Sequence, residues 1–276
     1  KDICLAVSEH YLPIGTDSQI PKKPYSIALS LSDKIDSLVG FFGINLKPTS
    51  SKDPYALRRL AIGMIKIILE NRKTIKLRDL INYSLQLYNE QNLNFNSENT
   101  SKDLAIFLKD RFKNYMKEKN VRQDIIESST SSYNIDDILK IYKKANTLNN
   151  MISKDIGLDV IFIYKRASNI LIDEINKNNL EISDIADPGL FKNDFEKKLY
   201  KKIHDIRKEF SSISRENDYK GLLQSLASAK IEVTEFFDNV KVNDADDVIK
   251  KNRLELLKML CKTFDNYFNF SKIESL

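Results

Sequence analysis

Three short runs of basic and amide side chains hold the chemistry this sequence offers, and each suits gripping phosphate or a base edge better than breaking bonds. Arg58 and Arg59 follow an Asp53-Pro54 helix start. A guanidinium presents its donors in a rigid fork that matches phosphate oxygens, and it serves a helix-end carboxylate of the same chain equally well. Lys165, Arg166 and Asn169 fall one turn apart on one helical face. The cations suit an RNA backbone and the amide offers a donor and an acceptor to a base edge, while a solvated polar face is the other reading. Lys250, Lys251 and Arg253 form the third run, open to phosphate or to solvent. Arg111 stands with Lys109, Lys113 and Lys117 on the polar side of another helix. Phe236 and Phe237 either stack on an unpaired base, worth about 1–3 kcal/mol, or close a helical core before the turn at Asp238 and Asn239.

Catalytic signatures are missing from the sequence. His10 and His204 are the only histidines, and Cys4 and Cys261 have no neighbouring Cys or His at a metal-ligand spacing. His10 reads as a residue that fixes the loop before Pro13. The run LVGFFG, residues 38–43, is too poor in glycine to cradle a phosphate. No nucleophile signature and no adenylate-forming motif is present, so no catalytic residue is assigned.

The elements that must position these side chains are helices. Glycine and proline together number 13 in 276 residues, well under the roughly 12% usual for soluble proteins, and 42% of the chain is hydrophobic. An all-α fold of two helical domains is expected. The net charge of +5 is too mild to prove a nucleic-acid partner. No apolar run reaches the ~18 to 20 residues of a membrane span, and the cysteine usage fits a reducing cytoplasm. The chain begins at Lys1 inside an apolar segment, which reads as a piece of a longer protein.

Helical stripes are expected over residues 25–42 (Ile27, Leu31, Ile35, Leu38), 54–71, 77–88 and onward from 104. Residues 89–100 read as a loop, with the helix restarting at Ser101 and Asp103. The small polar run at 128–132 reads as the interdomain linker. Beyond it, helices are expected at 135–151, 159–178, 193–212, 218–237 and 246–269, enough for a bundle.

Four strings, residues 6–13 (AVSEHYLP), 28–42 (ALSLSDKIDSLVGFF), 48–70 (PTSSKDPYALRRLAIGMIKIILE) and 236–257 (FFDNVKVNDADDVIKKNRLELL), resemble the bacterial glycyl-tRNA synthetase β subunit in order and spacing. Residues 107–115 (FLKDRFKNY) and 165–171 (KRASNIL) agree as well. The resemblance implies a division of labour in which an α subunit holds the active site with its ATP and Mg, and β grips tRNA-Gly within a cytoplasmic α2β2 heterotetramer. No cofactor is implied in this chain.

By that resemblance, residues 1–72 would end an HD-like helical domain and residues 73–130 would connect it onward. Residues 131–276 would form a helical anticodon-binding bundle similar to that of arginyl- and cysteinyl-type synthetases. The tRNA contacts would come from Arg58, Arg59, Arg111, Lys165, Arg166, Asn169, Lys250, Lys251 and Arg253, with Phe236 and Phe237 as stacking residues. Asp33 falls where HD folds supply a metal-binding Asp, which leaves an HD-type metal phosphohydrolase as one alternative; a helical scaffold docking the α subunit is another.

Overall fold

The computed structural model describes residues 1–15, 18–93, 95–131, 136–178, 181–216 and 218–274, of 178 and 211–216 the backbone alone. Every regular element among them is helical, as the low glycine and proline content predicts. They divide into two compact units, one of residues 1–121 and 132–142 and one of residues 122–131 and 143–276.

The first unit is built around α2 (Pro24–Gly43), which packs against α1 (Asp2–Glu9), α3 (Leu57–Glu70), α4 (Leu77–Glu90) and α5 (Ser97–Glu118). Pro24 sits at the first helical position, where its missing N–H is no loss. The expected stripe of Ile27, Leu31, Ile35 and Leu38 is buried. A second buried stripe is polar. Ser26, Ser30 and Lys34, one turn apart, face inward. Ser30 Oγ donates to the Leu12 carbonyl at 2.8 Å, and Lys34 Nζ donates to the His10 carbonyl at 3.1 Å and to Ser30 Oγ at 2.8 Å. The loop before Pro13 is thereby tied to α2. α3 closes over this lysine through Gly63, where a Cβ would meet Lys34 Cε at 3.1 Å and Pro13 at 3.4 Å.

In this unit two helix starts differ from the sequence expectation. Asp53 caps α3 as expected, its carboxylate accepting from the Leu57 and Arg58 amides at 2.8 and 3.0 Å, but Pro54 lies in the preceding turn and the helix begins at Leu57. Ala56, the residue before it, holds a left-handed φ of 56°, which costs an L side chain roughly 1–2 kcal/mol. Ala56→Gly is therefore expected to raise the stability of this unit by up to about 1 kcal/mol, net of glycine's larger unfolded-state entropy; urea unfolding of the two proteins measures it. α5 begins at Ser97, inside the segment read as a loop, because the Asn96 side chain accepts from the Asn99 amide at 3.1 Å and starts the helix early.

In the second unit, α8 (Asp155–Asn178), α9 (Asp194–Glu216), α10 (Tyr219–Ala227), α11 (Lys230–Asn239) and α12 (Asp247–Asp265) form a bundle, joined by α6 (Gln123–Thr130) and most of α7 (Ile138–Met151). Leu199, Ile203, Ile206 and Phe210 of α9 repeat at three and four residues and are buried, as are Leu254, Leu257, Leu260 and Phe264 of α12. The single helix expected over 218–237 is two. The Ser228 hydroxyl donates to the Ser225 carbonyl at 2.7 Å, a side-chain bond that competes with helix continuation, and α11 starts at Lys230.

The expected linker is also corrected. Ser128, Ser129 and Thr130 end α6 and are buried, while Ser132 lies outside the described residues. The Thr130 hydroxyl donates to the Ile126 carbonyl at 2.7 Å, and the small side chains let α6 pack on the turn at Phe270–Lys272. Composition read these residues as solvated because it carries no information on such close packing.

Candidate nucleic-acid interface

The cations singled out from sequence separate into structural and exposed groups. Arg253 belongs to the first. It is 5% exposed; its Nε donates to Glu196 Oε1 at 2.7 Å, and its Nη1 to the Lys241 carbonyl at 2.9 Å and Asp244 Oδ2 at 2.6 Å. Glu196 is fully buried and caps α9, accepting through Oε2 from the Lys192 and Asn193 amides at 2.7 and 3.0 Å, while Asn193 accepts from the Glu196 amide at 3.1 Å. This reciprocal arrangement is a capping box, and Arg253 bolts it to α12. The neighbouring Asn252 is buried and clamps residue 187, accepting from its amide at 2.7 Å and donating to its carbonyl at 3.0 Å. Arg253 is thus committed inside the fold, and its assignment to phosphate is withdrawn.

Lys250 bridges α12 to α8 through Glu174 at 2.6 Å. The Lys250 hydrogen bond, aided by Asn243, holds that carboxylate below its usual range. Of the third run only Lys251 is exposed.

Phe236 is wholly buried in the bundle, so of the aromatic pair only the half-buried Phe237 can meet a ligand. Arg166 lies over the Phe237 ring at 4.6 Å and near that of Phe162 at 5.7 Å, with Asp238 at 3.4 Å. Half-buried Lys165 and exposed Asn169 share this face of α8. The geometry produces a mixed guanidinium and aromatic surface between α8 and α11, of the kind on which an unpaired base can stack.

In the first unit, the Arg58 guanidinium donates to the Thr49 carbonyl, and Arg111 rests 5.6 Å from the Phe107 ring centroid with its Nε buried and, among the described residues, without a hydrogen-bond partner. Exposed Arg59 lines a 490 Å³ cleft with Lys66, Tyr115 and Lys119. Asp33 is half-buried beside Lys34, and among the described residues no three His, Cys, Asp or Glu side chains converge as metal ligands would.

A group absent from the sequence reading lies between α9 and α12. Asp184, Arg207, Phe210, Lys262, Asn266 and Tyr267 line a 310 Å³ cleft. Lys262 pairs with Asp184 at 2.6 Å, and that hydrogen bond keeps the Asp184 carboxyl below its ordinary range. Arg207 is pinned by donation to Thr263 Oγ1 at 2.7 Å and to the Met259 carbonyl at 2.9 Å. Phe210 and Tyr267 meet edge to face at 4.6 Å. Earlier on α9, two turns and one turn before Arg207, the Tyr200 and His204 rings lie 4.5 Å apart, and Phe191 lies 5.4 Å from Tyr200. The spacing of Tyr200, His204 and Arg207 was the available signal; the cleft's carboxylate and lysine, far apart in the chain, gave none.

Residues 1–131 match the glycyl-tRNA synthetase beta subunit family and residues 160–276 the DALR anticodon binding domain. The chain is 36% identical over 274 residues to the glycine–tRNA ligase beta subunit of Rickettsia canadensis, covering 99% of this chain and 39% of that protein. It is 34% identical over 268 residues to that of Clostridioides difficile, covering 97% and 38%, and 33% identical over 274 residues to that of Rhodospirillum centenum, covering 99% and 38%. The chain therefore spans about two-fifths of the length of these relatives. A helical architecture in both units, together with likeness running from the first residues to the last, places the chain in the glycyl-tRNA synthetase beta-subunit family.

Proposed function

We propose that this chain grips glycine tRNA within a glycine–tRNA ligase, its residues 160–276 holding the anticodon arm while a separate α subunit carries out ATP- and Mg-dependent glycylation in the cytoplasm. The observation that carries this reading is the match of that helical bundle to an anticodon-binding domain, on a unit that presents an Arg166–Phe237 surface. Residues 1–72 act as an HD-like helical support, residues 73–130 connect it onward, and the chain itself contributes no catalytic group. Arg59, Lys165, Arg166, Asn169 and Lys251 are the side chains best placed to meet RNA, since each keeps some exposure. Arg58, Arg111 and Lys250 hold intramolecular contacts and contribute less.

Titration of this chain with glycine tRNA over a range of salt tests the reading. Log affinity is expected to fall linearly with log salt. Lys165→Ala/Arg166→Ala should reduce the slope by roughly one for each phosphate that is no longer neutralised, with circular dichroism unchanged. An unaltered affinity and slope in the double variant would remove the α8 face from the interface.

The docking-scaffold alternative is favoured by one observation. Ile3 and Val7 on α1 are 78% and 57% exposed, an apolar surface suited to a protein neighbour. Recovery of a stable complex with the α subunit, without tRNA, would support it.

A further inference from the structure

We infer that the α9–α12 cleft of the second unit receives one unstacked cytosine of the bound RNA, with Asp184 as the residue that reads it. The inference rests on the tRNA reading proposed above and assigns that reading a pocket none of the sequence candidates occupies.

Three features of the cleft fit a single base. Its 310 Å³ volume is at the small end of ligand sites, a size that suits a single base. Its lining includes half-buried Tyr267, packed edge to face on buried Phe210, which gives a planar ligand a rigid wall. Its polar groups are of mixed sign: the Asp184 carboxylate accepts, while Lys262 and Arg207 donate. Two of the Arg207 nitrogens are already bonded to Thr263 and Met259, so the guanidinium plane is fixed before a ligand arrives; Nη1 bonds none of the described residues and faces the ligand's acceptors.

This pattern selects among bases. Cytosine presents an exocyclic amine next to ring acceptors, so its amine donates to Asp184 while Lys262 and Arg207 donate to its ring nitrogen and carbonyl. Uracil presents a carbonyl oxygen where cytosine has the amine, which sets two acceptors against each other. Tyr200 lies seven residues before Arg207 on α9, about 10 Å along the helix, and its contact with His204 offers a ledge on which the adjoining nucleotides stack.

Glycine codons begin with two guanines, so glycine anticodons carry two cytosines. The test titrates this chain, and its Asp184→Asn variant, with glycine tRNA and with transcripts in which each of these cytosines is replaced by uracil. The wild-type chain is expected to lose about tenfold in affinity at one of the two positions. Asp184→Asn should abolish or invert that preference, because its amide can donate to the uracil carbonyl. A general structural role for Asp184 would lower both affinities and leave their ratio unchanged. The Asp184–Lys262 pair is partly exposed, so the unfolding midpoint should hardly move; if it does move, Lys262→Gln replaces it, with loss of the same preference expected.

Equal affinity of the wild-type chain for cytosine and uracil transcripts, or an unchanged ratio in the variant, would overturn the pocket and leave the tRNA reading standing. Failure to bind any glycine tRNA would overturn both.

Discussion

Replacing Arg253 by alanine is expected to destabilise the second unit by about 3–5 kcal/mol, the usual cost of removing one partner from a buried ion pair. Glu196 is fully buried, and without the guanidinium its Oε1 loses a charge-assisted bond in a place water does not reach. Its Oε2 still caps α9, so the carboxylate cannot turn away without uncapping that helix. The Lys241 carbonyl and Asp244 lose a donor in the same step. Glu196→Gln/Arg253→Met should cost much less than the sum of its single changes, since buried ion pairs are often replaced by neutral groups of similar volume at little loss. Urea midpoints of the four proteins supply the double-mutant cycle, and an additive result would mean that the two side chains do not act as a unit. On the proposed tRNA reading, a loss of affinity in Arg253→Ala would then follow the unfolded fraction, whereas a phosphate-binding arginine would weaken binding in a protein of unaltered stability.

The contrast between Arg253 and Arg166 defines what the sequence could tell. Both sit on helices with cations nearby, and local pattern offered both as RNA contacts, with a solvated face as the other reading. Their fates depend on partners far along the chain, 57 residues for Arg253 and Glu196 and 72 for Arg166 and Asp238, which no helical period reveals. The helices themselves were legible because apolar stripes such as Ile27, Leu31, Ile35 and Leu38 are set by burial over consecutive turns. Where the reading slipped, a single polar side chain had moved a boundary: Asn96 starts α5 early, Ser228 ends α10, and the Thr130 hydroxyl, bonded to its own helix, lets α6 bury its end. Within the matching string 236–257, Arg253 is informative as a structural residue, as is its neighbour Asn252. Asn252 holds the 187 segment and Arg253 the α9 cap in place, so both mark the bundle's architecture.

Lys34 leads to the second large effect, and here the sign depends on pH. Burial lowers its ammonium from 10.5 to about 8, a shift that Asp33 opposes only in part. Below pH 8 the amine is protonated in both folded and unfolded chains, and the fold bears the full cost of enclosing the charge. Between pH 8 and 10.5 the folded chain releases its proton while the unfolded chain retains it. The unfolded state then binds more protons, so stability rises with pH across this window, by about 3 kcal/mol in total. Tyr88 and Tyr115 act in the opposite direction at higher pH, because burial raises both phenols to about 12. Subtraction against Lys34→Met removes their contribution. The difference in unfolding free energy, wild type minus variant, should therefore climb between pH 8 and 10.5 and level off above it. A flat difference would mean that Lys34 keeps its ordinary proton affinity in the fold, through solvent that reaches Nζ beside the His10 carbonyl. A rise of the expected size would mean that the tie between α2 and the loop before Pro13 is made by a strained charge, which α3 seals in place through Gly63.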